Sequence, residues 1–174
     1  MSSDESRRSM QNKDNTMTVY KLCRLRNGKL YPMYVEADKE IMQGKWLKAT
    51  CGPLADENHV KSSGCGGRLS LRPGWHTTTV PWTDWIGAKQ EDGTLARRPD
   101  NVWCECEIRG KELPVMERNG LRHVPDGYYR FKTNSKQKDP WLISGELKVK
   151  RILSNEEVDA ICTEKGFVPQ KLAM

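Results

Sequence analysis

The sequence predicts an α+β fold: a twisted, mainly antiparallel sheet with a capped C-terminal helix, preceded by a disordered N-terminal tail. Three observations carry that expectation. Apolar runs bounded by turn residues recur along the chain, and one of them, Asn101 to Ile108, alternates strictly with period two. Only Ser154 to Phe167 has both a helix start and a helix stop. There is no strand–helix alternation and no internal repeat to argue for a parallel sheet.

At 174 residues, the chain is long enough for one core and too short for two. Residues 1–17 are polar and Ser-rich, with almost no branched apolar side chain, so they cannot repay the entropy of ordering and are expected to form a tail ahead of a single domain over residues 18–174. In that domain Val19 to Leu25 and Lys29 to Val35 flank Asn27-Gly28, the pair that most favours a two-residue hairpin because both residues tolerate positive φ. Pro32 has no amide donor, which places the second strand at an edge or a bulge. Short strands are expected near Lys45 to Ala49 and Arg68 to Leu71, with a Gly-rich surface loop, Cys51 to Gly67, between them. Pro73-Gly74 suits a turn. VPWTDWIGAK (Val80 to Lys89) reads as one or two helical turns.

Asn101 to Ile108 reads as a half-buried strand, with Val102, Cys104, Cys106 and Ile108 on one side and Trp103, Glu105 and Glu107 on the other. GYYRFKT and WLISGELKVKRIL read as two further strands. Finally, Ser154 and Glu157 have capping-box spacing, Val158, Ile161 and Cys162 form an apolar stripe, and Gly166 ends the helix.

No run approaches the roughly 20 apolar residues of a membrane span, and the first residues lack the apolar stretch of an export signal. The expected setting is therefore the cytoplasm, with no membrane partner. Six cysteines in that setting read as reduced thiols packed as small hydrophobes. Cys51, His59 and Cys65 are the one grouping with metal character, and they lack a fourth ligand, so no metal is predicted.

Two constellations stand out. The segment Arg72 to Gly87 concentrates Arg72, Trp75, His76, Thr77, Trp82 and Trp85, aromatic faces beside hydrogen-bonding groups that can hold a planar ligand, or equally serve as core anchors. The second is electrostatic. Lys and Arg exceed Asp and Glu by six, and residues 1–17 carry three charges of each sign, so the whole excess lies in the body. On GYYRFKT, Arg130 and Lys132 share a face; on GELKVKRIL, Lys148 and Lys150 do. If those strands pair, four cations line one sheet surface able to engage nucleic acid or an acidic host protein. The same pattern also suits an ordinary solvated face. Glu105 and Glu107 can be a carboxylate pair or the wet side of a strand. Phosphate-cradling Gly-rich motifs are absent from the sequence, and no cofactor is predicted.

With RPGWH, RPDNVWCECEI, GYYRFKTN and GELKVKRILSNEEV in order, the stretch from about Tyr20 to Ile161 resembles an uncharacterised family encoded by bacteriophages and other bacterial mobile elements. That resemblance implies an accessory protein in the cytoplasm of a bacterial host and assigns no activity. A looser resemblance is to ADP-ribosyltransferases of the arginine-serine-glutamate class, carried by Arg24, by Thr77, Thr78 and Thr79, and by Glu105-Cys106-Glu107. It implies an NAD-using enzyme with Arg24, His76 and Glu107 as catalytic groups. The hydroxyl triplet has no serine, however, and the Glu-x-Glu lies within a strand.

Overall fold

The computed structural model describes residues 15–33, 37–50, 72–83, 86–115, 123–132 and 135–173. The expected features at 1–14, Cys51 to Leu71 (with Cys51, His59 and Cys65) and Trp85 lie outside them. Ten strands are described: β1 (Thr16–Arg26), β2 (Lys29–Tyr31), β3 (Trp46–Lys48), β4 (Trp75–Thr77), β5 (Ala88–Lys89), β6 (Leu95–Ala96), β7 (Asn101–Arg109), β8 (Tyr128–Phe131), β9 (Trp141–Ser144) and β10 (Glu146–Ile152). A single described helix, α1 (Asn155–Glu164), follows. The fold is mostly antiparallel β with one short C-terminal helix, which corrects the α+β expectation. Strand β1 opens at Thr16, two residues ahead of the expected start of the domain.

Local chemistry accounts for several elements. Asn27 and Gly28 take φ of 51° and 76°, the two positive values that a tight hairpin needs between β1 and β2. Pro32 directly follows β2, which is indeed an edge strand. The Ser154 side chain accepts from the Glu157 amide, and the Glu157 carboxylate accepts from the Ser154 amide, closing the capping box at the start of α1. Val158 and Cys162 turn inward from that helix, and Gly166, at φ 80°, ends it. No helix forms over Val80–Thr83 or Ile86–Lys89, where helical turns were expected. Thr78 instead directs its hydroxyl to the Val80 carbonyl, and Ala88–Lys89 pairs with β6.

Five strands form a sheet in the order β2-β1-β7-β10-β3, and three form a second in the order β4-β9-β8. WLISGELKVKRIL is two strands and not one. The chain leaves one sheet and enters the other at Gly145, whose missing side chain lets it lie against the Pro125 carbonyl. A second link joins Thr78 and Tyr20 through paired backbone hydrogen bonds of 2.8 Å. A third is the Trp75 indole N–H, which donates to the Leu47 carbonyl on β3 at 3.0 Å. These three links curl the sheets around one apolar interior built from Val19, Cys23, Cys104, Cys106, Ile108, Leu142, Leu147 and Val149.

The opposite face of β1 and β7 is covered at one end only. There Tyr20, Leu22 and Trp103 pack with Leu153, Val158 and Cys162 beneath α1, so Trp103, expected on the wet side of its strand, is 2% exposed. Glu105 and Glu107, on the same face but beyond the helix, remain partly exposed. The four described cysteines are buried free thiols, and burial pushes the Cys106 thiol far above its ordinary range. Among the described residues no helix is long and apolar enough to cross a membrane.

Candidate functional site

The aromatic turn after Arg72 is mostly absorbed into packing. Arg72 is buried, its guanidinium 3.6 Å from the centre of the Phe131 ring and hydrogen-bonded to the Tyr129 hydroxyl at 3.3 Å. Trp75 spends its N–H on Leu47 and lies beneath the Lys21 ammonium at 5.7 Å. Thr77 is fully buried and donates to the Leu142 carbonyl at 3.0 Å, while Trp82 packs at a tilt against Phe167, 5.0 Å between ring centres. Their polar groups serve the fold, and the expected ligand site is not assembled by the described members.

His76 donates from Nε2 to the Arg72 carbonyl at 3.0 Å. Enclosure of the ring, reinforced by the Lys21 charge and partly offset by that hydrogen bond, lowers its pKa from 6.5 to about 4. The ring is therefore neutral at pH 7. Between these two values the unfolded chain binds a proton that the folded chain does not, so stability rises with pH across that window. Acidification from pH 7 to 4.5 is expected to cost about 2 kcal/mol, less than full linkage because His76 keeps some surface in water. Urea unfolding at several pH values checks this. His76→Gln should flatten the profile above pH 4.5, and an equally steep variant would assign the titration elsewhere.

The transferase constellation does not converge either. Glu107 lies opposite Thr18 and Arg24 lies opposite Asn101, so the two groups share a face but are six residues apart along β1, roughly 20 Å. Thr77 is buried in another sheet, and His76 is committed to Arg72. The carboxylates are engaged in ion pairs: Lys150 Nζ lies 3.2 Å from Glu107, and Arg151 lies 3.5 Å from Glu105.

The four-cation face is also corrected. Strands β8 and β10 do not pair; β8 pairs with β9, whereas β10 lies between β7 and β3. Arg130 therefore belongs to a different sheet from Lys148 and Lys150, with Lys132 just past the end of its strand, and Arg130 is paired with Glu112 at 2.9 Å. The physical reason is the break at Gly145, which sends β9 and β10 to separate partners.

What the fold assembles around Lys148 is a different set. On the outer face of β10, β3 and β7, Lys148 lies opposite Trp46 and Glu146 opposite Lys48. The Arg109 guanidinium stacks over the Trp46 ring at 4.1 Å, and the Lys148 ammonium lies 5.8 Å from it. Arg109 is bonded to Glu146, which holds that carboxyl below its ordinary range. A register shift between Val149 and Arg151 leaves Lys150 and Arg151 both exposed, extending the cationic run past the strand's regular alternation.

These residues border an open cleft of about 680 Å³ that also reaches Thr16, Asp126 and three glycines. Gly110, Gly127 and Gly145 form its bare-backbone floor, where chain segments cross too closely for side chains. A Cβ on Gly110 would lie 2.7 Å from the Gly127 Cα, and Cβ atoms on Gly127 and Gly145 would collide with the Lys111 and Pro125 carbonyl oxygens. Sequence reasoning missed Trp46, Lys48, Arg109, Asp126 and this floor. The only local signal was Trp46 between Lys45 and Lys48, with nothing to connect it to β7 and β10. Compared with protein-family models, with curated proteins and with solved structures, the chain matches none.

Proposed function

We propose that this chain is a binding protein of phage or mobile-element origin, acting in a bacterial host, that engages nucleic acid through the outer face of β10, β3 and β7. The observation that supports this reading is the Trp46 indole flanked by Arg109 and Lys148, with Lys48 and Lys150 on the same sheet surface and an open cleft alongside. Sheet-borne aromatics among cations form a surface on which bases stack while ammonium groups follow the phosphates. The net charge of +6 adds long-range attraction for a polyanion. Arg130 and Lys132 have no part in it. No described arrangement favours the NAD-using alternative.

The test is a titration of labelled single- and double-stranded DNA and RNA at two salt concentrations, with wild type and a Lys148→Glu/Lys150→Glu variant. Wild-type binding should weaken steeply with salt, and the variant should bind at least about tenfold more weakly with a shallower salt dependence. Undiminished binding by the variant would remove this face from consideration. Binding of an acidic protein with none to nucleic acid would replace the partner.

A further inference from the structure

The cleft beside Trp46 is poorly suited to phosphate. Its wall carries three cations, Lys48, Arg109 and Lys148, and three carboxylates, Glu107, Asp126 and Glu146. The net charge is balanced, so a phosphate entering gains little Coulomb energy there. Exposed Lys150 and Arg151 continue the cationic run along β10 outside the cleft.

Inside, the features match a flat heterocycle. Arg109 is stacked on Trp46 and tethered by Glu146, yet 43% of its side chain is exposed, so the guanidinium keeps a free face as a stacking platform. Gly110, Gly127 and Gly145 border the cleft as bare backbone, packed closely against neighbouring chain segments. Asp126 is exposed on the wall and makes no hydrogen bond or ion pair with another described residue, which leaves two oxygens able to accept. The volume lies within the range of small-molecule sites.

We propose that this cleft takes one unstacked base of a single-stranded nucleic acid, with guanine preferred, stacked on the Arg109 guanidinium and held at its edge by Asp126. The proposal rests on the nucleic-acid reading above and specifies its substrate. An ionised carboxylate only accepts, so it favours a base edge that presents adjacent N–H groups. Guanine offers two, its ring N–H and its amino group, in parallel; thymine offers one, flanked by carbonyl oxygens that the carboxylate repels. In a duplex those edges are paired and the base planes are stacked, so the single strand is the form that fits. The neighbouring phosphates then pass along β10 over Lys150, on the cationic face described above.

Anisotropy titrations with three probes separate the possibilities: d(TG)6, dT12, and the duplex of d(TG)6 with d(CA)6. Wild type should bind d(TG)6 about tenfold more tightly than dT12 and more tightly than the duplex. In Asp126→Asn and Asp126→Ala the ratio of d(TG)6 to dT12 affinity should fall to about one; the position is exposed, and thermal melts confirm that each variant is folded. Equal wild-type affinity for d(TG)6 and dT12, or a ratio unchanged in both variants, overturns the base-reading role of Asp126. Duplex binding as tight as single-strand binding overturns the single-strand preference. Binding to none of the three overturns the nucleic-acid reading itself.

Discussion

Trp103→Ala is expected to lower the unfolding free energy by about 4 kcal/mol, the range seen when a large buried aromatic is truncated. The side chain, on β7, is 2% exposed and sits beneath α1 in the cluster with Leu22, Leu153 and Val158. Its carbonyl also accepts from the Leu153 amide at 2.9 Å, fixing the approach to the helix. Without the indole, α1 can settle only partly toward the sheet, because Ser154 and the β10 terminus hold its start. Urea unfolding followed by circular dichroism should show a much lower midpoint with an unchanged slope. A loss below about 1 kcal/mol would mean that α1 collapses freely into the void, and that its packing is looser than the buried cluster indicates.

Gly145→Ala is expected to cost about 3 kcal/mol by the opposite mechanism, overpacking against backbone. The added methyl would sit well inside the contact distance of the Pro125 carbonyl oxygen, which cannot rotate away as a flexible side chain would. Gly145 also donates to the Gly127 carbonyl and accepts from the Ala49 amide, at 3.0 Å and 2.8 Å, so a shift there disturbs both the junction between the sheets and the cleft floor. A conservative control is Gly44→Ala, where a Cβ meets nothing within 4 Å; the φ of 80° still strains it, but by about 1 kcal/mol. Comparing the two thermal midpoints separates crowding from backbone strain. Equal shifts would show that the Pro125 contact yields.

Both substitutions fall where reading along the chain gave the wrong environment. Period two placed Trp103 with Glu105 and Glu107, and they do share a face. What alternation cannot show is that α1, arriving some fifty residues later, covers one end of that face and leaves the other wet. Gly145 fell inside WLISGELKVKRIL, which reads as one continuous strand. Its function depends on Pro125, a neighbour across a crossing of chain segments, which no local pattern reveals.

The candidate site divides in the same way. Lys148 and Lys150 were legible as outward cations because strand alternation is a property of adjacent residues. Their expected companions, Arg130 and Lys132, were wrong because pairing between strands is a choice among distant partners, and the chain chose β7 and β3 for β10. The companions it has, Trp46, Lys48 and Arg109, come from segments about 40 to 100 residues away.

Neighbours along the chain settled the Asn27-Gly28 hairpin, the period-two strand β7 and the capped helix, and narrowed the second strand to an edge or a bulge. Each rests on dihedral preferences or on hydrogen bonds between residues a few positions apart, and those energies hold wherever the segment lies. Only the assembled fold settled which strands adjoin, which end of the β7 face stays wet, and that the cation-stacked Trp46 and three close-packed glycines border one cleft. These features depend on burying the most apolar surface at once while satisfying every backbone group, a condition met only by the assembled chain.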